Sequence, residues 1–250
     1  MNFQPFRIES GAKTHTGCVR DHNEDAFVAR EEVGLWVVAD GMGGHEGGEW
    51  ASAKIVEKLD ELELPTDFDA ACVAIAEAIR KANRAIIVEA RRRAKQMGST
   101  VVALLLRDDR YALLWVGDSR GYLLRDGEMR QLTRDHTQVQ EMVARGIMSP
   151  EDAIGHPMGH ILSRAVGVRD EVEVDMVTGE VAPGDIYLIC SDGLHGYVEE
   201  TEVVRLLSQG APEEAAEQLV ELTLAKGAPD NVTVIAVWAS EPTLLSLPDR

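Results

Sequence analysis

Four aspartates stand where apolar stretches meet turns. Asp40 ends Trp36-Val37-Val38-Ala39 and precedes Gly41, Asp118 follows Trp115-Val116-Gly117, and Asp192 follows Ile189-Cys190-Ser191 and precedes Gly193. Asp230 instead comes just before an apolar run, in Pro229-Asp230-Asn231-Val232. Singly, each is most simply a turn former, because an aspartate before glycine or serine caps the local backbone. Together they ask for more, since carboxylates crowded beside apolar strands raise one another's pKa and weaken the fold unless cations offset them. An all-oxygen donor set suits Mg²⁺ or Mn²⁺, whereas zinc would call for a His or Cys cluster that is absent here. Gly41, without a side chain, can bring its carbonyl close to an ion. Two divalent ions sharing a carboxylate can hold a water as hydroxide and displace a phosphate ester in line, so phosphoryl hydrolysis is the leading chemistry.

A further charged run is Arg20-Asp21-His22-Asn23-Glu24-Asp25. Arg20 offers a two-pronged guanidinium that matches phosphate oxygens, and Glu24 and Asp25 could orient waters around an ion. On its own the run reads equally well as a solvated loop.

Periodicity predicts the elements that must carry these groups. Leu35 to Ala39, Val101 to Leu106, Tyr111 to Val116, Ile186 to Cys190 and Val232 to Trp238 are short apolar runs bounded by Gly, Asp or Ser, and read as buried strands. Gly121 to Arg125 and Glu128 to Leu132 flank Asp126-Gly127, a dipeptide that accepts the positive φ angles of a tight hairpin. Phe68, Cys72, Ile75, Ile79, Ala82 and Ile86 step by three or four, predicting one face of a long helix that starts near Thr66 or Asp67. Ala51, Ile55, Leu59 and Leu62 form a second stripe; Ala215, Leu219 and Leu222 form a third, with Pro212 at its start and Gly227 placed to cap its end. Strands cluster instead of alternating with helices, which points to antiparallel sheets covered by helices. A strand of this length spans about 17–20 Å, so if all four aspartates converge, the strand after Asp230 must run opposite to the other three.

The chain of 250 residues is 45% hydrophobic and 27% charged, enough to bury a core, and no linker or repeat divides it; one domain over 1–250 is expected. With 43 acidic against 25 basic side chains the net charge is -18, which excludes counterion-driven binding of nucleic acid. No apolar run approaches the ~18 residues of a membrane span, and Met1 to Gly11 lacks a basic segment followed by an apolar one, so a cytoplasmic protein with no membrane partner is expected. Cys18, Cys72 and Cys190 are odd in number and widely spaced, which suits a reducing compartment. None sits in the glycine-rich, Arg-terminated loop that would activate a thiolate nucleophile.

Taken in order, Arg20-x-x-Asn23-Glu24-Asp25, Asp40-Gly41-Met42-Gly43-Gly44-His45, Gly117-Asp118-Ser119-Arg120, Leu132-x-x-Asp135-His136, Ser191-Asp192-Gly193 and Asp230-Asn231 resemble the bacterial metal-dependent Ser/Thr protein phosphatases of the PPM (type-2C) family. The resemblance implies an α+β fold, a central β-sandwich of two antiparallel sheets flanked by helix pairs, with a small flap at about 137–167. It implies two Mn²⁺ or Mg²⁺ ions per active site and a weaker third. Asp40 would bridge the two ions, Gly41 would give its carbonyl to the first, and Asp192 and Asp230 would complete the second. Asp118, with Asp192, would hold the third, and Arg20 would clamp the substrate phosphate. The expected substrates are proteins phosphorylated on Ser or Thr, a cognate Ser/Thr kinase among them, with hydroxide between the ions attacking phosphorus and no covalent phosphoenzyme.

Two positions depart from the family pattern. Met42 stands where many eukaryotic relatives have a histidine suited to protonating the leaving alkoxide, which makes His45 the candidate proton donor. His195, after Ser191-Asp192-Gly193-Leu194, replaces a small polar or aromatic residue and is expected at the surface. The competing function is a degenerate, catalytically silent module that binds phosphoproteins, although no principal carboxylate is missing. A calcineurin-like metallophosphoesterase would need Asp-x-His and Gly-Asn-His segments that are absent, and Gly41 to Gly48 lacks the Lys-Ser/Thr ending of a phosphate-binding P-loop.

Overall fold

The structure is a computed structural model that describes residues 6–44 and 46–241. One antiparallel sheet runs in the order β1-β11-β10-β7-β8, built from β1 (Arg7–His15), β7 (Arg120–Arg125), β8 (Glu128–Gln131), β10 (Asp185–Cys190) and β11 (Val232–Ser240). The other runs β2-β3-β5-β6-β9, from β2 (Asp25–Arg30), β3 (Leu35–Met42), β5 (Val101–Arg107), β6 (Arg110–Val116) and β9 (Asp175–Glu180), with the two-residue β4 (Gly98–Ser99) pairing to β3. Helices α1 (Glu46–Asp60) and α2 (Phe68–Arg93) cover the second sheet; α5 (Asp192–His195), α6 (Glu200–Leu207) and α7 (Pro212–Ala225) cover the first. Two short helices, α3 (Gln138–Ala144) and α4 (Pro150–Ala153), lie in the expected flap.

Both faces of the central strands are buried, which is why they read as unbroken apolar runs. In β3, Trp36 and Val38 point into the core between the sheets with Leu104, Leu113, Tyr187 and Ile235, while Leu35, Val37 and Ala39 pack on α1 and α2. The face of α2 predicted from its spacing, Cys72, Ile75, Ile79, Ala82 and Ile86, is buried there. Asp67 caps that helix by accepting the Ala70 N–H at 2.8 Å. The hairpin forms at Asp126 and Gly127, both at positive φ, and Gly227 follows α7 at φ +101°.

Several elements differ from expectation. Leu62 lies past the end of α1, and β3 continues through Asp40 and Gly41 instead of stopping at Ala39. Strands β1, β2 and β9 were not foreseen, because their outward residues are polar and their inward ones small or few. In β1 the small Gly11 lets the backbone of Pro212 and Glu213, at the start of α7, approach to within 2.3 Å of where a Cβ would stand. The helix-covered antiparallel sandwich itself is as expected, and its directions matter for the site: β10 and β11 are antiparallel neighbours, so the residue after one and the residue before the other meet at the same end.

Candidate metal centre

Asp40, Asp118, Asp192 and Asp230 all line one pocket of about 720 Å³ at an end of the sandwich, together with Arg20 and Gly41. The second sheet supplies Asp40 from within β3 and Asp118 from the turn after β6; the first supplies Asp192, opening α5, and Asp230, just before β11. Glycines let the backbones close up here. A Cβ on Gly41 would lie 2.2 Å from the Gly48 carbonyl oxygen and 2.6 Å from that of Glu24, so α1 can seat its first turn against β3 only with no side chain there.

Several side chains besides the proposed ligands hold this end together, and two of them, Ser99 and Thr100, carried no signal in the sequence. Ser99 Oγ donates to the Asp40 carbonyl at 2.8 Å, and Thr100 Oγ1 accepts the Asp40 N–H at 3.1 Å. Asn231 accepts the Glu24 N–H at 2.8 Å and donates to the carbonyls of Thr16 and His22 at 2.8 and 2.9 Å, tying the 16–24 loop to β11. Asp25, opposite Asp40 in register, accepts from Ser191 Oγ at 2.8 Å and Thr233 Oγ1 at 2.7 Å, so its carboxylate links the two sheets. His136 is buried and grips the turn before Asp118: its Nδ1 accepts the Gly117 N–H at 3.0 Å and its own N–H donates to the Gly117 carbonyl at 2.9 Å. Its Nε2 donates to Asp175 at 3.2 Å, and Asp175 pairs with Arg164, which joins this turn to the base of the flap.

His195 is not the surface residue that its sequence suggests. It is only partly exposed, and Nε2 donates to the Asp118 carbonyl at 3.1 Å. The four-residue helix α5 turns the ring inward, and burial, then the nearby Arg120 charge, lower its pKa to about 4. His45 lies outside the described residues. Met42, lining the pocket in the position next to Asp40-Gly41, has no proton to give.

The electrostatics of the pocket are lopsided. Desolvation, then repulsion from Asp25, Asp192 and other aspartates, pushes Asp40 well above the usual carboxylate range. Asp118 rises to about 7 through desolvation and then Asp192, and Asp25 and Asp192 are also raised, chiefly by desolvation. Arg20 answers part of this charge, with Nη2 2.7 Å from Asp230 Oδ2. No group of three His, Cys, Asp or Glu side chains stands ready-made to hold an ion among the described residues. Yet one oxygen each of Asp192 and Asp25 is sealed from solvent without a hydrogen-bond partner. Sealed carboxylate oxygens in an all-oxygen cluster fit hard divalent cations.

Comparison with known proteins places the chain in a class. Residues 18–226 match the protein phosphatase 2C family. The chain is 40% identical over 230 residues to the serine/threonine protein phosphatase PstP of Mycobacterium tuberculosis, covering 91% of this chain and 44% of that protein, so it spans less than half the length of that relative. It is 37% identical over 235 residues to the serine/threonine phosphatase stp of Listeria monocytogenes, covering 90% of this chain and 93% of that protein. The catalytic domain of PstP, solved with two manganese ions, superposes with a TM-score of 0.84 at 37% identity over 94% of this chain and 100% of that one. The chain therefore belongs to the protein phosphatase 2C family of metal-dependent phosphatases and has its α+β fold.

Proposed function

We propose that this chain hydrolyses phosphoserine and phosphothreonine in proteins with two Mn²⁺ or Mg²⁺ ions, and that residues 1–250 form a single catalytic domain. The observation that carries it is the convergence of Asp40, Asp118, Asp192 and Asp230 on one pocket, where with Glu24 and Glu171 they outnumber the arginines that line it, Arg20, Arg164 and Arg169. Asp40 would bridge the two ions, the Gly41 carbonyl would join the first, Asp192 and Asp230 would hold the second, and Asp118 with Asp192 a weaker third. Bound there, the ions supply Lewis acidity and a lowered pKa for water, the chemistry that in-line attack on phosphorus needs.

The chain's own residues do the rest. Arg20 is half-exposed at the pocket and its pair with Asp230 is open to solvent, so its guanidinium can turn to grip two phosphate oxygens. Glu24 and Asp25 would orient waters around the ions, Asp25 from a carboxylate fixed by Ser191 and Thr233. Tyr197 and Val168, exposed at 42% and 57%, give the pocket apolar walls against which a peptide can lie. The leaving oxygen takes its proton from solvent or from His45, since Met42 cannot provide one. Water adds to phosphorus and the ester P–O bond breaks, leaving an alcohol and inorganic phosphate.

The substrates would be phosphoproteins, a cognate Ser/Thr kinase among them, met in the cytoplasm; the net charge of -18 argues against nucleic acid. No helix among the described residues is long and apolar enough to cross a membrane. Hydrolysis of an aryl phosphate and a phosphothreonine peptide, compared in Mn²⁺, Mg²⁺ and chelator, tests the proposal. Metal-dependent turnover of both is expected. Undiminished turnover in excess chelator, or its loss in Cys190→Ser with folding intact, would overturn it.

A further inference from the structure

The catalytic pocket does not end at its carboxylates. Met42, Gly43, Val168 and Arg169 line it and also a second groove of about 960 Å³, which runs on to the C-terminal turn of α2. Ile87, Ala90 and Ala94 give that groove an apolar side, while Arg91, Lys95 and Arg169 give it three cations against a single acid, Asp170. In a chain with net charge -18 that balance is inverted locally.

Arginines at a helix C-terminus often do no more than complement the helix dipole. Arg92 and Arg93 fit that account, being paired to Glu89 within the helix. The cations facing the groove do not. Arg91 pairs with Asp170, but both are largely exposed, at 71% and 81%, so the pair is weak and easily exchanged. Lys95 has Glu46 at 3.8 Å, again with both groups in solvent. Arg169 belongs to a different segment, the one that leaves the flap, and forms no ion pair among the described residues. That segment is held in place: buried Asn83, on α2, accepts the Gly167 N–H at 2.6 Å and donates to the Arg169 carbonyl at 2.9 Å. A fixed backbone thus presents an uncommitted guanidinium between the pocket and the groove.

We propose that this groove receives the substrate segment flanking the phosphorylated residue, and that Lys95 and Arg169 select acidic side chains in it. The inference rests on the phosphatase function proposed above. Charge complementarity and continuity with the catalytic pocket name the occupant, an extended peptide carrying Asp or Glu near its phosphothreonine.

The test compares phosphothreonine peptides that differ only in carrying Glu, Gln or Lys at successive flanking positions, with kcat/KM measured in Mn²⁺ alongside an aryl phosphate too small to reach the groove. At one or more positions the Glu peptide should exceed its Gln partner about fivefold, what two exposed charge pairs provide together, and the gap should close as salt rises. The double variant Lys95→Glu/Arg169→Glu should reverse the order in favour of Lys, a change of sign that general damage to the fold would not produce. Equal rates for Glu and Gln peptides, or an order unchanged in the variant, would overturn the proposal while turnover of the aryl phosphate left the phosphatase function standing. Absence of turnover on every substrate would remove that function and this inference with it.

Discussion

Strand β10 carries an aspartate at each end, and the two are treated in opposite ways. Asp185, at its start, is 1% exposed and fully answered: Arg125 reaches both its oxygens at 2.6 Å, the Ala182 N–H donates at 2.8 Å and the Tyr187 hydroxyl at 3.0 Å. Asp192, two residues past its end, has Asp40 and Asp230 for neighbours and one sealed oxygen with no partner. Burial of a carboxylate therefore does not mark a functional site in this protein. What sets the proposed site apart is a carboxylate whose compensating charge the chain does not supply, and among the described residues the carboxylates left with a sealed, unpartnered oxygen lie at that end of the sandwich.

The largest effect that could break this contrast is on turnover. Asp192→Asn removes a proposed ion ligand and should lower kcat/KM for an aryl phosphate at least about 10³-fold, which corresponds to the several kcal/mol a metal ion contributes to the transition state. In chelator the same variant should melt no lower than the wild type, because it removes repulsion at a strained cluster. Near-normal turnover, or a large loss of stability, would mean that Asp192 is structural like Asp185. At the other end the pattern should invert. Arg125→Met leaves Asp185 buried without its countercharge, a change worth about 3 kcal/mol, at the lower end of such cases because Arg125 is 37% exposed and two neutral donors remain. Thermal melts should register that loss, and kcat/KM at a temperature where the variant is folded should stay within about twofold.

How ions stabilise the protein sharpens the contrast further. Asp118 has its pKa raised to about 7 by desolvation and then Asp192, and Asp25 and Asp40 are raised as well. A folded pKa above the unfolded one means that the folded state binds more protons, so this contribution is present below about pH 4 and lost as pH rises towards 7. Divalent cations should reverse that loss. At saturating Mn²⁺, a hundredfold over its Kd, the gain is about 2.7 kcal/mol, and the rise in Tm should be larger at pH 8 than at pH 5. An equal rise at both, or none, would deny that the cluster is where the ions act.

The sequence made the carboxylate-rich end legible because its aspartates sit at the turns that end or begin apolar runs, and such runs can be read one strand at a time. Directions followed too, since Asp230 precedes its strand where the others follow theirs. What could not be read was support from distant segments. Nothing near Thr100 or Asn231 signals that one would hold the Asp40 backbone and the other the 16–24 loop, because these hydrogen bonds join residues 60 or 207 positions apart. Strand β1 escaped for a related reason: Ser10, Gly11 and Ala12 face close-packed neighbours and carry no apolar alternation. His195 was misplaced because the four-residue helix that turns it inward is too short to show a period.

His195 also conceals part of the acid behaviour of the carboxylate end, and this is the smallest effect expected. Burial, then Arg120, lowers its pKa to about 4, below the ordinary value near 6.5 for an unfolded histidine. The unfolded chain then binds the extra proton between those values, so the histidine's contribution is complete above about pH 6.5 and declines as pH falls towards 4. The aspartates gain stability over much of the same interval as pH falls, so the two trends partly cancel in the wild-type protein. His195→Asn keeps a donor for the Asp118 carbonyl and removes the titration. In chelator, its melting temperature relative to wild type should therefore rise as pH is lowered from 7 to 4, exposing the slope that the carboxylates alone would give. If the two melting curves stayed parallel over that range, His195 would be free to take up its proton in the folded protein, and the inward position of its ring would be wrong.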